Sequence, residues 1–303
     1  MTAFPFLSVI VPYYNAGRQI RHLLQALSRQ SYPHDRFEVI LVNNGSNDDS
    51  MDVIKSFLTS GNDVIYHLSE ENEKIGSYAA RNKGISQARG QIFAFTDADC
   101  IPEACWIENG VNSIYRDRAS IIGGEVELRP FDQKRPTPAE LFDLTYGFQQ
   151  RTNIERKGFT VTANLFAKRE VFEAVGTFDE NLKSKGDYEW CTRAASHGFS
   201  IVYQPSCRVT HPARRNLSEL VAKTRRIAGG QHDISAPEFQ PVEGAHVEPL
   251  LVRLIQQVGF VLRNREISGI KRKACVIGIG LLLIIVKYVE KARLKLGRES
   301  RRS

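Results

Sequence analysis

The first hundred residues alternate between short apolar runs and segments with helical periodicity, and this alternation constrains the fold most strongly. Four runs have the length and the branched side chains of buried strands: LSVIVP (7–12), FEVILV (37–42), DVIYHL (63–68) and QIFAFT (91–96). Between the runs, apolar residues recur at helical spacing, as in the segment 18–30. Strands that alternate with helices of about 10–15 residues form parallel βαβ units, so we predict an α/β fold with a mostly parallel sheet.

Composition excludes several classes of protein. The chain has 303 residues, of which 42% are hydrophobic and 25% charged, as expected for a folded protein with a substantial core. The net charge of +7 is uneven, because residues 287–303 carry seven Lys or Arg against two Glu, so we expect no nucleic-acid partner. Five cysteines without paired spacing favour free thiols in a reducing compartment over a zinc site. No basic region precedes the first apolar run, so we expect no secretory signal.

Two carboxylates, Asp97 and Asp99, follow the fourth strand with one residue between them. Alternate residues of an extended chain point to the same side, so both carboxylates can enter one site. Their oxygens are the ligands that Mg²⁺ and Mn²⁺ prefer. The alternative is that the two residues only form a turn, in which Asp is common. Ligands of parallel α/β sheets bind at the carboxyl ends of the strands, which favours a metal site. The polar segment NNGSND (43–48) follows the second strand and is expected in the same crevice.

Four segments stand in an order that carries a resemblance: SVIVPYYNAGRQIRHLLQALSRQSYP, VILVNNGSNDDS, GSYAARNKGISQARGQIFAFTDADC and GDYEWCTRAASHG. Together they resemble family 2 glycosyltransferases, the inverting enzymes of the GT-A fold, over roughly residues 7–215. The resemblance implies a Rossmann-like nucleotide-binding fold. It also implies transfer of a sugar from a UDP-, dTDP- or GDP-sugar donor to a hydroxyl of a glycan or lipid-linked acceptor, with Mn²⁺ or Mg²⁺ as cofactor.

The resemblance also implies which residues bind the nucleotide. Pro12, Tyr13 and Asn15 match the segment that flanks the base and the ribose. Asn44 stands where many members have an Asp that accepts a hydrogen bond from a pyrimidine imide. An amide oxygen can still accept that bond, so a UDP or dTDP donor remains possible, although base identity is less secure. The alternative for Asn44 is an ordinary turn residue.

The remaining donor and metal residues surround the two carboxylates. Arg81, in the helix before the fourth strand, matches an Arg that reaches the nucleotide pocket, where its planar fork suits a phosphate or a ribose. A solvated helical charge is the alternative. Asp97 is expected to serve both the donor and the metal. His211, in VTHPARR, follows a strand-like run and is a candidate third metal ligand with Asp97 and Asp99, or a donor to the diphosphate, with a structural role as the alternative.

Asp187 is the residue that the resemblance assigns to catalysis. A hydroxyl that attacks the anomeric carbon needs a general base, which a carboxylate can supply. The segment GDYEWCTR matches a Glu-Asp pair of the family, with Gly186 in place of the Glu. Asp187 is alternatively a helix N-cap. Glu189 is expected to orient the acceptor, while Asn164 and Arg193 are expected at the acceptor rim and beside Asp187, respectively.

The C-terminal part contains 13 consecutive apolar residues, ACVIGIGLLLIIV (274–286), with basic residues on both sides. A spanning helix needs about 20 residues, so we predict a helix that associates with an anionic membrane surface. A buried helix with a solvated basic end is the alternative. We therefore predict a GT-A domain at 1–215, a helical region packing on the active site at 216–268, and a membrane-associating segment at 269–303. Such a protein is expected in the cytoplasm, peripheral at the inner face of the cell membrane.

Two other functions compete with glycosyl transfer. A nucleotidyltransferase also uses an α/β fold and acidic metal ligands, but it ordinarily has a Gly-rich, basic loop after the first strand, which VPYYNAGRQI is not. A catalytically silent sugar-nucleotide-binding protein is the second alternative. It would need none of the base chemistry, so the presence of Asp97, Asp99 and Asp187 together argues against it.

Overall fold

The computed structural model describes residues 4–61, 63–234, 250–264 and 267–301. The strands are β1 (Leu7–Tyr13), β2 (Phe37–Asn43), β3 (Ile65–Glu70), β4 (Ile92–Thr96), β5 (Ile101–Pro102), β6 (Ile121–Arg129), β7 (Asn164–Lys168) and β8 (Ile201–Pro212). The helices are α1 (Gly17–Leu27), α2 (Ser50–Thr59), α3 (Ser77–Gln87), α4 (Trp106–Arg116), α5 (Pro138–Tyr146), α6 (Gln150–Lys157), α7 (Arg169–Val175), α8 (Gly186–Ser196), α9 (Leu217–Asp233), α10 (Leu250–Arg263) and α11 (Ile270–Lys295).

The strands form one eight-stranded sheet in the order β3-β2-β1-β4-β7-β6-β8-β5. Strand β1 pairs in parallel with β2 and β4, and β2 pairs in parallel with β3, which confirms the predicted α/β architecture of the first hundred residues. Strand β7 pairs antiparallel with both β4 and β6. Strand β1 is buried along its whole length because it lies inside the sheet, and this explains why its sequence is almost continuously apolar.

The structure differs from the sequence-based prediction in three places. Strand β3 begins at Ile65, two residues after the predicted start. The predicted helix at 139–151 is two helices, because α5 ends at Tyr146 and α6 begins at Gln150. Gly147 follows α5, and its missing side chain leaves room for the Leu128 side chain. The sequence patterns predicted no element at 101–128, where α4 and β6 lie. The buried Trp106, Ile107, Val111 and Ile114 of α4 have the helical spacing that would have revealed this helix.

The chain divides into two compact units. The first contains Met1–Glu127, Phe148–Asn181 and Gly186–His211, and the second contains Leu128–Gly147, Leu182–Lys185 and Pro212–Ser303. The large core of the first unit joins the buried side chains of β1, β2 and β4 to those of α1 and α4. The three-part division predicted from sequence, including packing of 216–268 on the active site, stays a prediction.

The C-terminal apolar run belongs to a longer helix, α11, which has 26 residues. One face of α11 is buried in the second unit, where Val276 packs in a cluster with Leu141 and Val261, and Leu283 packs with Leu220. The opposite face is exposed, as described below. Within the described part of the chain, no helix is both long and apolar enough to cross a membrane.

A buried carboxylate connects three strands at the end of the sheet opposite Asp97. Glu38 of β2 is fully buried, and its oxygens accept hydrogen bonds from the Ser8 hydroxyl at 2.6 Å and from the Arg89 backbone N–H at 2.8 Å. The Arg89 guanidinium and the His67 ring of β3 lie 2.7 and 3.0 Å from the second oxygen. Burial alone would raise the pKa of Glu38, but the bonds from Ser8 and Arg89 outweigh it and lower that pKa.

We expect Glu38→Gln to lower the free energy of unfolding by about 2 kcal/mol at pH 7, the usual loss when a hydrogen bond to a charged group is removed. Because the folded-state pKa is lowered, this contribution is complete above the unfolded-state value of about 4.3 and is lost as the pH falls through the folded-state value. Urea titrations at several pH values would measure it. The control Glu180→Gln, at a half-exposed ion pair with Lys74, should change stability by less than about 0.5 kcal/mol.

Candidate active site

Two carboxylates and one imidazole come together after β4. Asp97 and Asp99 immediately follow this strand, and His211 lies in the last part of β8. Each of the three residues offers a ligand atom, and these atoms lie within 4.8 Å of one another. The His211 Nε2 atom is 3.4 Å from Asp99 Oδ2, and the buried imidazole packs against Phe148 with ring centroids 4.9 Å apart.

Arg81 is held beside this group. Its guanidinium donates to Asp97 Oδ1 at 2.5 Å, although the Arg81 residue is only 3% exposed. The buried Nε of Arg81 has no hydrogen-bond partner among the described residues, so this N–H is available to an added acceptor such as a phosphate oxygen.

The donor set fits a divalent cation. Carboxylate oxygens suit Mg²⁺ and Mn²⁺, and an imidazole nitrogen favours the transition metal of the two. Asp97, Asp99 and His211 would therefore be able to hold Mn²⁺ or Mg²⁺, with Asp97 shared between the cation and Arg81.

The turns after β1 and β2 are joined by hydrogen bonds. The Asn15 side chain accepts from the Asn47 backbone N–H at 2.9 Å, and the Asn15 N–H donates to the Ser46 hydroxyl at 3.0 Å. The Ala16 N–H donates to the Ser50 hydroxyl at 2.8 Å. Asn15 has a φ of 48°, in the left-handed region that Asn tolerates better than most residues. In this structure Asn15 therefore fixes the shape of the turns where the nucleotide is expected.

Pro12 and Tyr13 at the end of β1 are buried. The buried Tyr13 hydroxyl has no hydrogen-bond partner within the described residues. Burial raises its pKa to about 12, with further contributions from the charges of Glu70 and Asp48. The Tyr13 hydroxyl is therefore protonated at neutral pH and can act as a hydrogen-bond donor.

Asn44 holds the polar loop that precedes α3. Its Nδ2 atom donates to the carbonyls of Glu71 and Lys74, at 3.1 and 2.9 Å, and its Oδ1 atom accepts from the Gly76 N–H at 2.6 Å. Both amide hydrogens are thus bound to backbone, and one lone pair of the amide oxygen is left beyond the bond to Gly76. Any recognition of a base by Asn44 is limited to that lone pair.

Asp187 lies in the first turn of α8, which begins at Gly186. It is therefore the second residue of the helix and not its N-cap, and its Oδ1 atom accepts the Tyr188 N–H at 2.9 Å. The Tyr78 hydroxyl of α3 accepts the Gly186 N–H at 2.9 Å and the Asp187 N–H at 3.3 Å. Tyr78 in turn contacts Arg81, whose guanidinium carbon is 5.7 Å from the ring centroid.

The two other charged residues predicted near Asp187 bind each other. Glu189 is buried, and both of its oxygens accept from the Arg193 guanidinium, one of them at 2.9 Å. Arg193 also donates to the carbonyls of Val175 and Thr177, the latter at 2.7 Å. This arrangement holds the end of α7 against α8, so Glu189 is engaged within the protein.

Asn164, predicted at the acceptor rim, is fully buried instead. Its Oδ1 atom accepts the indole N–H of Trp106 at 2.9 Å, and its Nδ2 atom donates to the carbonyls of Glu125 and Cys207 at 2.8 and 2.9 Å. Because every amide group of Asn164 binds protein, this residue joins β6, β7, β8 and α4 within the core and does not face solvent.

Two residues that were not among the predicted site residues also build the site. Tyr78 connects the Asp187 turn to Arg81, and Asn82 exchanges hydrogen bonds with the backbone of Phe178 at 2.8 and 3.1 Å. Asn82 stands next to Arg81 in the quoted AARNKG segment, and this position was the available signal. Tyr78 gave no signal of its own, because a Tyr in a first helical turn has no particular meaning without its partner.

Comparisons with known proteins identify the family of the chain. The Glycosyl transferase family 2 model matches residues 8–176. Glycosyltransferase AglE of Haloferax volcanii is 37% identical over 230 residues, which cover 76% of this chain and 74% of the relative. The chain therefore belongs to glycosyl transferase family 2, and it is a glycosyltransferase.

Two further relatives extend the comparison. The glucosyl-dolichyl phosphate glucuronosyltransferase of H. volcanii is 27% identical over 220 residues, 68% of each chain. A solved structure, the mannosyltransferase PcManGT from Pyrobaculum calidifontis in complex with GDP-Man and Mn²⁺, has a TM-score of 0.62 at 19% identity, and the match covers 93% of this chain and 88% of that one. This likeness confirms the GT-A-like fold.

We expect Asp99→Asn to weaken Mn²⁺ binding at least about 10-fold, because even the loss of an outer partner of a metal ligand has an effect of that size. Titration calorimetry with Mn²⁺, in the presence and absence of UDP and GDP, would measure it. His211→Ala should weaken binding in the same direction. The control Asp117→Asn, at an ion pair with Arg116, should bind Mn²⁺ like the unchanged protein. Equal affinities in all four proteins would contradict the assignment of the cation site.

Proposed function

We propose that this chain is an inverting, metal-dependent glycosyltransferase that moves a sugar from a nucleotide-diphosphate donor to a hydroxyl of a glycan or lipid-linked acceptor. The observation that carries the proposal is the separation of two kinds of acidic group. Asp97 and Asp99 form one group with His211, whereas Asp187 stands on a different element, α8. Family membership removes the nucleotidyltransferase alternative.

The proposed reaction is a single displacement. The acceptor oxygen forms a bond to the anomeric carbon while the bond from that carbon to the diphosphate oxygen breaks, so the configuration inverts. Asp187, a carboxylate in the first turn of α8, takes the proton of the attacking hydroxyl as the general base. The leaving nucleoside diphosphate carries the electron pair away.

The charge that develops on the leaving diphosphate needs compensation. Arg81 is suited to this role, because its buried Nε–H has no acceptor within the described part of the chain. When bound by Asp97, Asp99 and His211, Mn²⁺ would supply Lewis-acid neutralisation of the same charge. The protonated Tyr13 hydroxyl at the end of β1 is proposed to donate to the nucleotide.

The class of acceptor is supported by one relative in particular. The glucuronosyltransferase of H. volcanii acts, by its name, on a glucosyl-dolichyl phosphate, which is a lipid-linked sugar. We extend this class of acceptor to the present chain. For the donor, the neighbouring structure that holds GDP-Man supports a nucleotide-diphosphate sugar.

We expect Asp187→Asn to lower kcat by a factor of about 10²–10⁴, the usual contribution of a positioned general base, with little change in donor affinity. Initial rates on a lipid-linked acceptor and calorimetry with the donor nucleotide would separate the two quantities. Asp52→Asn, on an exposed position of α2, is the control and should leave both unchanged. Loss of donor affinity in Asp187→Asn, with kcat unaffected, would place Asp187 in donor binding instead.

A peripheral membrane position is the second part of the proposal, and the outward face of α11 supports it. This face presents Leu282, Ile285 and Val289 at helical spacing, with exposed fractions of 38%, 59% and 62%. Exposed basic residues flank it on the same helix: Lys271, Arg272, Lys291 and Lys295. Such a face complements an anionic lipid surface. The apolar side chains insert below the head groups, and the basic side chains contact the anionic head groups.

Two other basic residues of α11 are occupied within the second unit. The Lys273 ammonium donates to the Leu262 carbonyl at 2.5 Å, and the Arg293 guanidinium donates to buried Glu290 at 2.5 Å. Glu290 has its pKa lowered by this hydrogen bond. Because the inner face of α11 is core, deletion of the helix would unfold its surroundings, and only substitutions on the outer face test membrane binding.

We expect the intact protein to float with vesicles of phosphatidylglycerol and phosphatidylcholine, and the variant Leu282→Gln/Ile285→Gln/Val289→Gln to remain at the bottom of the gradient. High salt should release the intact protein only in part, because the apolar contact is not screened. Tyr115→Gln, an exposed aromatic residue of α4, is the control and should float normally. A triple variant that floats as well as the intact protein would refute the proposal that this face of α11 binds membranes.

A further inference from the structure

The first turn of α8 is held from outside the helix by Tyr78. The first N–H groups of a helix have no partner within it, and here two of them, those of Gly186 and Asp187, donate to the Tyr78 hydroxyl. Tyr78 is buried in α3. We propose that Tyr78 is a positioning residue for Asp187, which fixes where the carboxylate of the base stands. This inference rests on the proposed function of Asp187.

The Tyr78 ring packs directly against Gly186, where there is no room for a side chain. A Cβ atom at Gly186 would lie 2.8 Å from two carbons of the Tyr78 ring, closer than real side chains approach. The ring therefore fills the space that a side chain at 186 would need. The resemblance places a Glu at this position in the family, so the glycine here is the condition that lets Tyr78 reach the backbone of α8.

Tyr78 also contacts the donor side of the site. The Arg81 guanidinium lies 5.7 Å from the Tyr78 ring centroid and donates to Asp97 at 2.5 Å. The Phe178 ring packs on the same tyrosine, with centroids 5.8 Å apart. A continuous set of contacts thus runs from the Asp187 backbone through the side chains of Tyr78 and Arg81 to Asp97 of the cation site. Base and donor are held in a fixed relation, as a single displacement requires.

The test is a double-mutant cycle between Tyr78→Phe and Asp187→Asn. Tyr78→Phe keeps the ring and removes only the oxygen that accepts both N–H groups. We expect about 10-fold lower kcat, the effect of losing one buried hydrogen-bond group, with unchanged KM for the donor and unchanged Mn²⁺ affinity. In the Asp187→Asn background the same substitution should have no further effect on kcat.

The control is Tyr66→Phe, because the buried Tyr66 hydroxyl has no hydrogen-bond partner among the described residues. It should retain full activity. If the effects of Tyr78→Phe and Asp187→Asn on kcat multiply, Tyr78 acts independently of the base and the inference is wrong. If Asp187→Asn alone leaves kcat unchanged, Asp187 is not the general base and the proposed function is wrong. That result differs from multiplicative effects, which contradict only the role of Tyr78.

A second pair of variants tests the steric half of the inference without relying on Asp187→Asn. Gly186→Glu should lower kcat sharply when Tyr78 is present, because the new side chain meets the ring. Combined with Tyr78→Ala, which vacates that space, Gly186→Glu should lower the unfolding temperature less than it does when Tyr78 is present. Thermal unfolding of every variant identifies losses that are due to misfolding. An equal effect of Gly186→Glu on the unfolding temperature in both backgrounds would overturn the inference.

Discussion

The ion pair between Arg81 and Asp97 is the contact on which the rest of the site depends. A guanidinium remains charged at any ordinary pH, so its burial inside the first unit requires a carboxylate close by. Asp97 provides that carboxylate, and it is also one of the three groups that can hold a cation. Arg81 thereby fixes Asp97, contacts Tyr78 and stands beside Asn82, which holds the backbone of Phe178. One helical turn of α3 thus organises the donor side and the approach to α8.

The sequence predicted the parallel part of the fold because the signals there are local. The alternation of apolar runs with helical segments over 7–96 reports directly on β1 to β4, and the carboxyl ends of those strands must meet at one edge of the sheet. The grouping of Asp97 with Asp99 follows from their separation by a single residue directly after β4. His211 was a candidate because it follows a strand-like run, but no local pattern could show that it approaches the other two residues, since it reaches them from β8, more than a hundred positions away in the sequence.

Other features were not predictable because they depend on partners distant in the chain. Asn164 reads as a polar residue before a strand, yet its burial is decided by Trp106 and by the carbonyls of Glu125 and Cys207. Glu189 and Arg193 are four residues apart, a spacing that favours a pair, but the carbonyls that complete their contacts lie at the end of α7. The buried and exposed faces of α11 likewise depend on its packing against α5, α9 and α10. The sequence therefore showed an apolar run but not which of its residues are buried.

The hydrogen bonds of Asn44 limit which residues can replace it. An Asp at this position, common elsewhere in the family, would bring an ionised oxygen against the carbonyls of Glu71 and Lys74, where the amide now donates twice. Acceptor would face acceptor, and the loop before α3 would lose its attachment. We therefore expect Asn44→Asp alone to detach this loop. An Asp at position 44 would therefore require another attachment for the loop at 71–76.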